Sequence, residues 1–425
     1  MSGLVKDNIF GSSGLVIEAA GGLSWQPVVT ASTVTVSAAK GYFINTTSNA
    51  CTITLPSSAE AGDQIILVDY ARTWGTNAIT IDSNGLNFQG SDDTYTVDYD
   101  TAGQSLNLVY SDATTGWTPS SDIVNALEPF TNITQKAIFG YGDTGSVTAI
   151  TNLVNSSGVV AADVTGVGTA RKDPGAESYG NDKAIFGYGN TGSYVSMTNL
   201  VSNSGVVATD TTGVGTARTA LAAAGYGLDK VIFAYGYVGG GTQVSMSNLV
   251  SNTGVVGSDV TGVGTARYDL AAARYGGDKA IFGYGNTDGS TIVSMTNKVS
   301  SSGVVASDTT GVGTERQGLA ASGYGGDKAI FAYGYDRDGG VDVSLKNLVS
   351  NTGVVAADVT GVGSIRSGVA ATGYGGDKAI FGYGYGGGYV SMTNLVNSSG
   401  VVAADVTGVG TTRQNLNAAG YSNAA

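Results

Sequence analysis

The chain has no histidine, one cysteine, and charged residues at only 12% of its length. Without histidine, the commonest general base and metal ligand is missing. Cys51 alone cannot build an intrachain disulfide framework, and it lies too early in the chain to place a thiol in the later repeats. Lys and Arg number 20 against 33 Asp and Glu, a net charge of −13. Binding to a nucleic-acid duplex needs cations that displace counterions from phosphates, so nucleic acid is not an expected partner. No run of about 18 apolar residues occurs, so no membrane insertion is expected. The opening MSGLVKDNIFGSSGLVIEAAGG lacks a basic head followed by an apolar run, so no signal peptide is expected.

What the chain has in excess is glycine, 67 of 425 residues, about twice the usual share. The glycines alternate with Val, Ile, Tyr and Thr. That pattern predicts many short strands joined by tight turns, an all-β chain rather than a disordered one. The length suggests two or three domains.

One sentence of sequence recurs six times. Lys136, Lys183, Lys230, Lys279, Lys328 and Lys378 each open KAIF or KVIF, at intervals of 47, 47, 49, 49 and 50. The Gly of each GVV precedes an Arg by 13 residues, and that Arg precedes the next Lys by 12. From Lys to Gly the spacing is 22, 22, 24, 24, 25 and 22. All length variation therefore falls in the loop after GYG or AYG. In a repeat protein such insertions gather on one face, often the binding face.

Each repeat reads as four strands: a small-residue strand such as LAAAGYG, then KAIFGYG, then VSMTNLVS, then GVVA running to the Arg. Four strands per unit of this length predict a β-propeller blade, with the all-small strand innermost where space is least. The first copy lacks the small-residue strand and the last ends with one, NLNAAGYS. Residues 134–425 are thus expected to form a six-bladed propeller, closed by pairing of the C-terminal strand with the first blade, which removes open edges. In the first full inner strand, KDPGAESYG, Pro174 and Glu177 predict distortion or exposure.

Ahead of the array, residues 1–30 read as a tail or docking segment. Residues 31–122 alternate as seven or eight strands separated by turns, which predicts an antiparallel β-sandwich or roll. Trp25, Trp74 and Trp117 all lie in this third of the chain and read as core or subunit-contact residues. Residues 123–133 read as a linker with a short helical turn at 123–127.

The order of KAIFGYG, an alternating third strand, and an Arg leading into a small-residue strand resembles the Kelch-type propeller. Gly-Tyr-Gly replaces the Kelch Gly-Gly, and the fourth-strand Trp is missing. The arrays SMTNLVSNTGVV, TGVGTAR and GYGGDKAIFGYG, with the segment 41–85, more closely resemble virion proteins of tailed bacteriophages, marine and cyanobacterial ones especially. That resemblance implies a particle-bound tail fibre or surface appendage. Its N-terminal part would anchor to other virion proteins, its C-terminal part would face a host-surface glycan or protein, and it would commonly be a homotrimer.

Recurring groups are read as scaffold, because a group needed once per blade does blade work. These are Asp163 and its five counterparts, the six Arg, and the Tyr of each GYG. An enzyme would need singular carboxylates, and few exist, so the chain is read as non-enzymatic with no catalytic residue, metal or cofactor. The Asp-Gly loop 335–342 fits no complete Ca²⁺ motif. The alternatives are a purely structural decoration protein and a glycan-degrading enzyme. The candidate contact residues are those of the variable loops: Asp143, Asn190, Tyr237, Asn286, Asp288, Tyr335, Asp336, Asp338, Asp342, Tyr385 and Tyr389.

Overall fold

A computed structural model describes residues 23–90, 97–124 and 134–422. Every regular element among them is a β-strand, so the protein is all-β. The chain divides into two units, Met1–Pro129 and Phe130–Ala425.

Among the described residues of the first unit there are nine strands: β1 (Ser24–Trp25), β2 (Thr33–Thr35), β3 (Lys40–Ile44), β4 (Cys51–Thr54), β5 (Gln64–Asp69), β6 (Ile79–Asp82), β7 (Val97–Tyr99), β8 (Gln104–Tyr110) and β9 (Trp117–Val124). One sheet runs β1-β3-β5-β8-β9 and the other β2-β4-β6-β7. The antiparallel reading fails in the first half. β1, β3 and β5 pair in parallel, as do β2, β4 and β6. Only the pairs formed by β7, β8 and β9 are antiparallel. The physical reason is connectivity. β4 leaves for the other sheet, and the loop–strand–loop it completes is the crossover that a parallel β3–β5 pair requires. Alternation of apolar residues looks the same in both arrangements. Alternate residues from both sheets meet in one core around Ile53, Leu67, Ile81 and Leu106, with Trp74 and Trp117 fully buried. Trp25 differs: it is 48% exposed and stacks on Phe43 at 4.7 Å.

The expected tail lies mostly outside the described residues, but Ser24–Trp25 is a strand. So are 123 and 124, where a helical turn was expected; residues 125–133 are outside the described set.

The second unit holds six three-stranded sheets. In each, the KAIF strand is central, flanked by the small-residue strand and the strand ending in TNLV, SNLV, TNKV or KNLV. The fourth segment of each repeat is not a full strand. It is held by two isolated bridges, such as Val201–Val207 and Thr198–Thr211. In the first sheet the small-residue strand comes from the end of the chain. Lys136–Gly140 pairs antiparallel with Asn417–Tyr421, Lys136 opposite Tyr421. The inner strands contact one another in sequence, and Asn417–Tyr421 also contacts Gly175–Tyr179. The strand after Pro174 is not distorted. Gly175–Tyr179 pairs in regular register with Lys183–Gly187 and is largely buried, because Pro174 stands one residue before the ladder.

The sheets pack face to face through one repeated contact. Ile138 and Tyr141 of the first sheet share a cluster with Ala184 and Phe186 of the second. Residues three apart in a strand normally point to opposite faces. Tyr141 reaches the face of Ile138 because its backbone is left-handed, φ 66°, and all six GYG tyrosines share this conformation. Each ring meets the Phe of the following sheet at 5.1–5.4 Å, the last being Tyr383 against Phe139.

Candidate ligand-binding face

The scaffold beneath the loops is a set of buried joints between neighbouring sheets. Arg218 is fully buried, lies 4.3 Å over the Tyr188 ring of the preceding sheet, and donates to Tyr235 O and Asn248 Oδ1 of its own. A planar guanidinium suits this combination of stacking and forked donation. Tyr188 Oη in turn donates to Val214 O at 3.1 Å. Asp259 accepts from Thr216 N and Oγ1 and from Asn248 Nδ2. Burial pushes the Asp259 carboxyl up. The bonds from Thr216 and Asn248 and the charge of Arg218 outweigh that and leave it below the ordinary carboxylate range. The same joint recurs between the last sheet and the first: Arg413 lies over Tyr383 and donates to Tyr141 O and Asn152 Oδ1. The recurring Asp, Arg and Tyr are therefore engaged with the scaffold at every joint.

Two closed circuits of backbone hydrogen bonds mark the ends of the inner strands. At the end bearing the variable loops, Asp173 N donates to Asn415 O, Asn415 N to Gly368 O, Gly368 N to Gly318 O, Gly318 N to Asp269 O, Asp269 N to Ala220 O, and Ala220 N to Asp173 O, all at 2.8–3.2 Å. At the other end, the hairpin turns of five sheets each donate to the next sheet, from Gly180 N to Asp229 O round to Gly375 N and Gln135 O, and Ser422 N, just after the inner strand of the first sheet, donates to Asp182 O.

Outside the first circuit, the residue after each Arg bridges to the residue after each GYG. Examples are Lys172–Asn190, Tyr268–Asn286 and Gln317–Tyr335. These pairings bring the variable loops round the mouth of the inner strands. The sequence candidates divide by what they touch. Asp143 is 9% exposed and ion-paired with Lys172 at 2.8 Å, and Asn286 is 1% exposed and donates to Gln317. Asn190 caps the turn at Gly192. Asp288 accepts from Ser290 and Thr291, and those bonds pull its carboxyl down to about 2. Asp336 accepts from Gly339 N within the hairpin that pairs Tyr335 with Asp342; Asp338 is exposed at its tip. Tyr385 is 39% exposed and meets Tyr389 edge-on at 5.8 Å. The candidates are spread over six sheets rather than gathered at one point.

One half of the face is built up. Tyr237 contacts Tyr194 of the preceding sheet at 5.8 Å and Tyr268 of the following one at 5.6 Å. Gln243, with its amide turned to satisfy both partners, donates to Thr287 O. Arg337 Nη1 donates to Gly289 O at 2.6 Å. The three longest loops, on the third, fourth and fifth sheets, are thereby tied into one wall with three tyrosines along it. Tyr194, Tyr268 and Arg337 were not among the sequence candidates. Tyr268 was legible as a departure from the repeat, since the other copies carry Lys, Thr, Gln, Ser and Gln there.

Asp173 and Asp269 were a second omission from the candidates. Both sit in the mouth circuit with φ 52°. Burial, then the charge of Asp269, pushes Asp173 up to about 8, against the pull of Lys172; burial alone pushes Asp269 up to about 6. Among the described residues, no three His, Cys, Asp or Glu side chains come together as a metal site would require.

No protein-family model matches the chain. No curated protein matches it with significant similarity.

Proposed function

We propose that the second unit is a closed six-bladed, Kelch-like β-propeller that acts as a non-enzymatic recognition module. It presents the wall of long loops to a glycan or protein on a host-cell surface. The observation that carries this reading is the tyrosine strip Tyr194–Tyr237–Tyr268 across three consecutive sheets. Aromatic side chains beside Gln, Asn and Asp offer flat apolar faces with polar edges, the combination that binds sugars and peptides at small entropic cost. The strip lies where the copies disagree, so the scaffold does not require it. The cyclic joints, the two hydrogen-bonded circuits and the Lys136–Tyr421 pairing support the propeller reading.

On this reading the protein is a tail fibre or surface appendage of a bacteriophage particle, and the first unit, sandwich-like in its two sheets, attaches it. The exposed Trp25, its partner Phe43 and the exposed Tyr70 supply an aromatic patch suited to such attachment. A purely structural role is favoured by one other feature. Val159, Val206, Val255, Val304, Val354 and Val401, one per repeat, are 55–66% exposed and could pack against neighbours in a shell.

Replacing the loops 237–243, 286–291 and 335–342 with the four-residue turn NTGS separates the two readings. Loss of binding to host cells with an unchanged melting temperature supports recognition. Unchanged binding, with assembly lost instead on changing the six valines to serine, supports the structural role. Shortened polysaccharide chains after incubation with the protein would overturn the non-enzymatic reading.

A further inference from the structure

The inner strands of all six sheets line a cavity of about 130 Å³. Its walls are mostly alanine, glycine and small hydroxyl residues with Leu221, Leu270 and Leu319. Lys328 and Lys378 also line it but are ion-paired with Asp327 and Asp377, which leaves Glu177 and Arg274 as the two singular charges on the inner strands. Glu177 stands where the other copies have alanine, Ser322 or Thr372. Arg274 stands where four copies have glycine and one has Ser178. The scaffold therefore needs neither charge, since four sheets form without one at either position.

Arg274 is anchored at one end only. Its Nη1 donates to Leu228 O and Gly277 O, while its buried Nη2 has no partner. The guanidinium lies against Gly225 of the neighbouring inner strand, where an added Cβ would come within 2.2 Å of Nη2. Glu177 Oε1 accepts from Ser178 N and Oγ at 2.7 Å each. No direct ion pair joins Glu177 to Arg274, though both face the same cavity. Buried guanidinium donors are normally matched by acceptors, and a planar fork is suited to a carboxylate.

We propose that this cavity is a second binding site, for a small molecule whose carboxylate is held by Arg274 and whose ammonium or hydroxyl donates to Glu177. The two charges lie on the inner strands rather than on the variable loops, and the proposed ligand is a monomer that carries both groups. The hydroxyls of Ser322 and Thr372 on the cavity wall supply further polar contacts.

Calorimetric titration of the full-length protein with glycine and with acetate tests this. Glycine carries both groups and acetate only the carboxylate. The expected result is that glycine binds at least ten-fold more tightly than acetate. Arg274→Gly, which restores the residue of four other copies and so should fold, is expected to abolish binding of both. Glu177→Ala is expected to leave acetate unchanged and remove the advantage of glycine. Arg274→Lys, which keeps the charge without the fork, is expected to weaken both about ten-fold. The idea fails if neither probe binds wild type at about 50 mM, or if Arg274→Gly binds glycine as well as wild type does.

Discussion

Asp163 and Thr411 are 248 residues apart, yet Thr411 Oγ1 donates to Asp163 Oδ2 at 2.6 Å and Thr411 N donates to the same carboxylate. The identical contact joins Thr216 to Asp259 across 43 residues. The joint between the last and first sheets is thus chemically the same as those between consecutive copies.

Asp163→Ala and Asp259→Ala should therefore destabilise the second unit by similar amounts. The expected loss is about 1 kcal/mol each, because both carboxylates are exposed on one side and their partners can rehydrate. Urea unfolding checks this. A far smaller effect for Asp163→Ala would show that the terminal joint is open in solution.

Tyr188 separates a hydroxyl from a ring. Tyr188→Phe removes only the bond to Val214 O and should cost about 1 kcal/mol. Tyr188→Gly relieves the left-handed backbone but leaves Arg218 without its stacking partner and Phe233 without its neighbour. That variant should lose about 3–5 kcal/mol, measured by the same unfolding experiment.

Asp173 and Asp269 set an opposite pH dependence from the joint carboxylates. Their folded pKa values, about 8 and about 6, lie above the ordinary value. The folded state holds these protons more tightly, so their contribution is most favourable below about pH 4 and is lost as pH rises through 6 to 8. The double variant Asp173→Ala, Asp269→Gly carries residues found in other copies. It should raise the melting temperature at pH 8.5 and leave it nearly unchanged at pH 4.5. The joint carboxylates, Asp259 among them, are held below the ordinary range. Their contribution is present above about pH 4 and lost as pH falls through the folded values, so unfolding below that range should persist in the variant.

Cys51 reports on the first unit alone. It is 2% exposed, and burial pushes its thiol up to about 11. Iodoacetamide at pH 8 should leave it unmodified in the native protein, and its labelling rate on heating should follow unfolding of the first unit. Rapid labelling at 25 °C would contradict that burial.

Composition and repeat spacing were enough to identify the all-β class, the six copies, the pairing of the last strand with the first, and the loops that vary. Those features depend on local pattern: alternation, turn residues and constant intervals survive in one dimension. Three matters depended on tertiary structure. The parallel pairing of β3 with β5 follows from β4 crossing to the other sheet, and alternation carries no record of that. The wall of loops depends on Tyr237 reaching Tyr194 and Tyr268, residues of different copies brought side by side by the packing of sheets. Arg274, whose Nη2 lacks a partner, and Glu177 lie 97 positions apart in sequence. Only the gathering of small-residue strands about one cavity brings both charges to the same cavity, where burial gives an unpaired donor its cost.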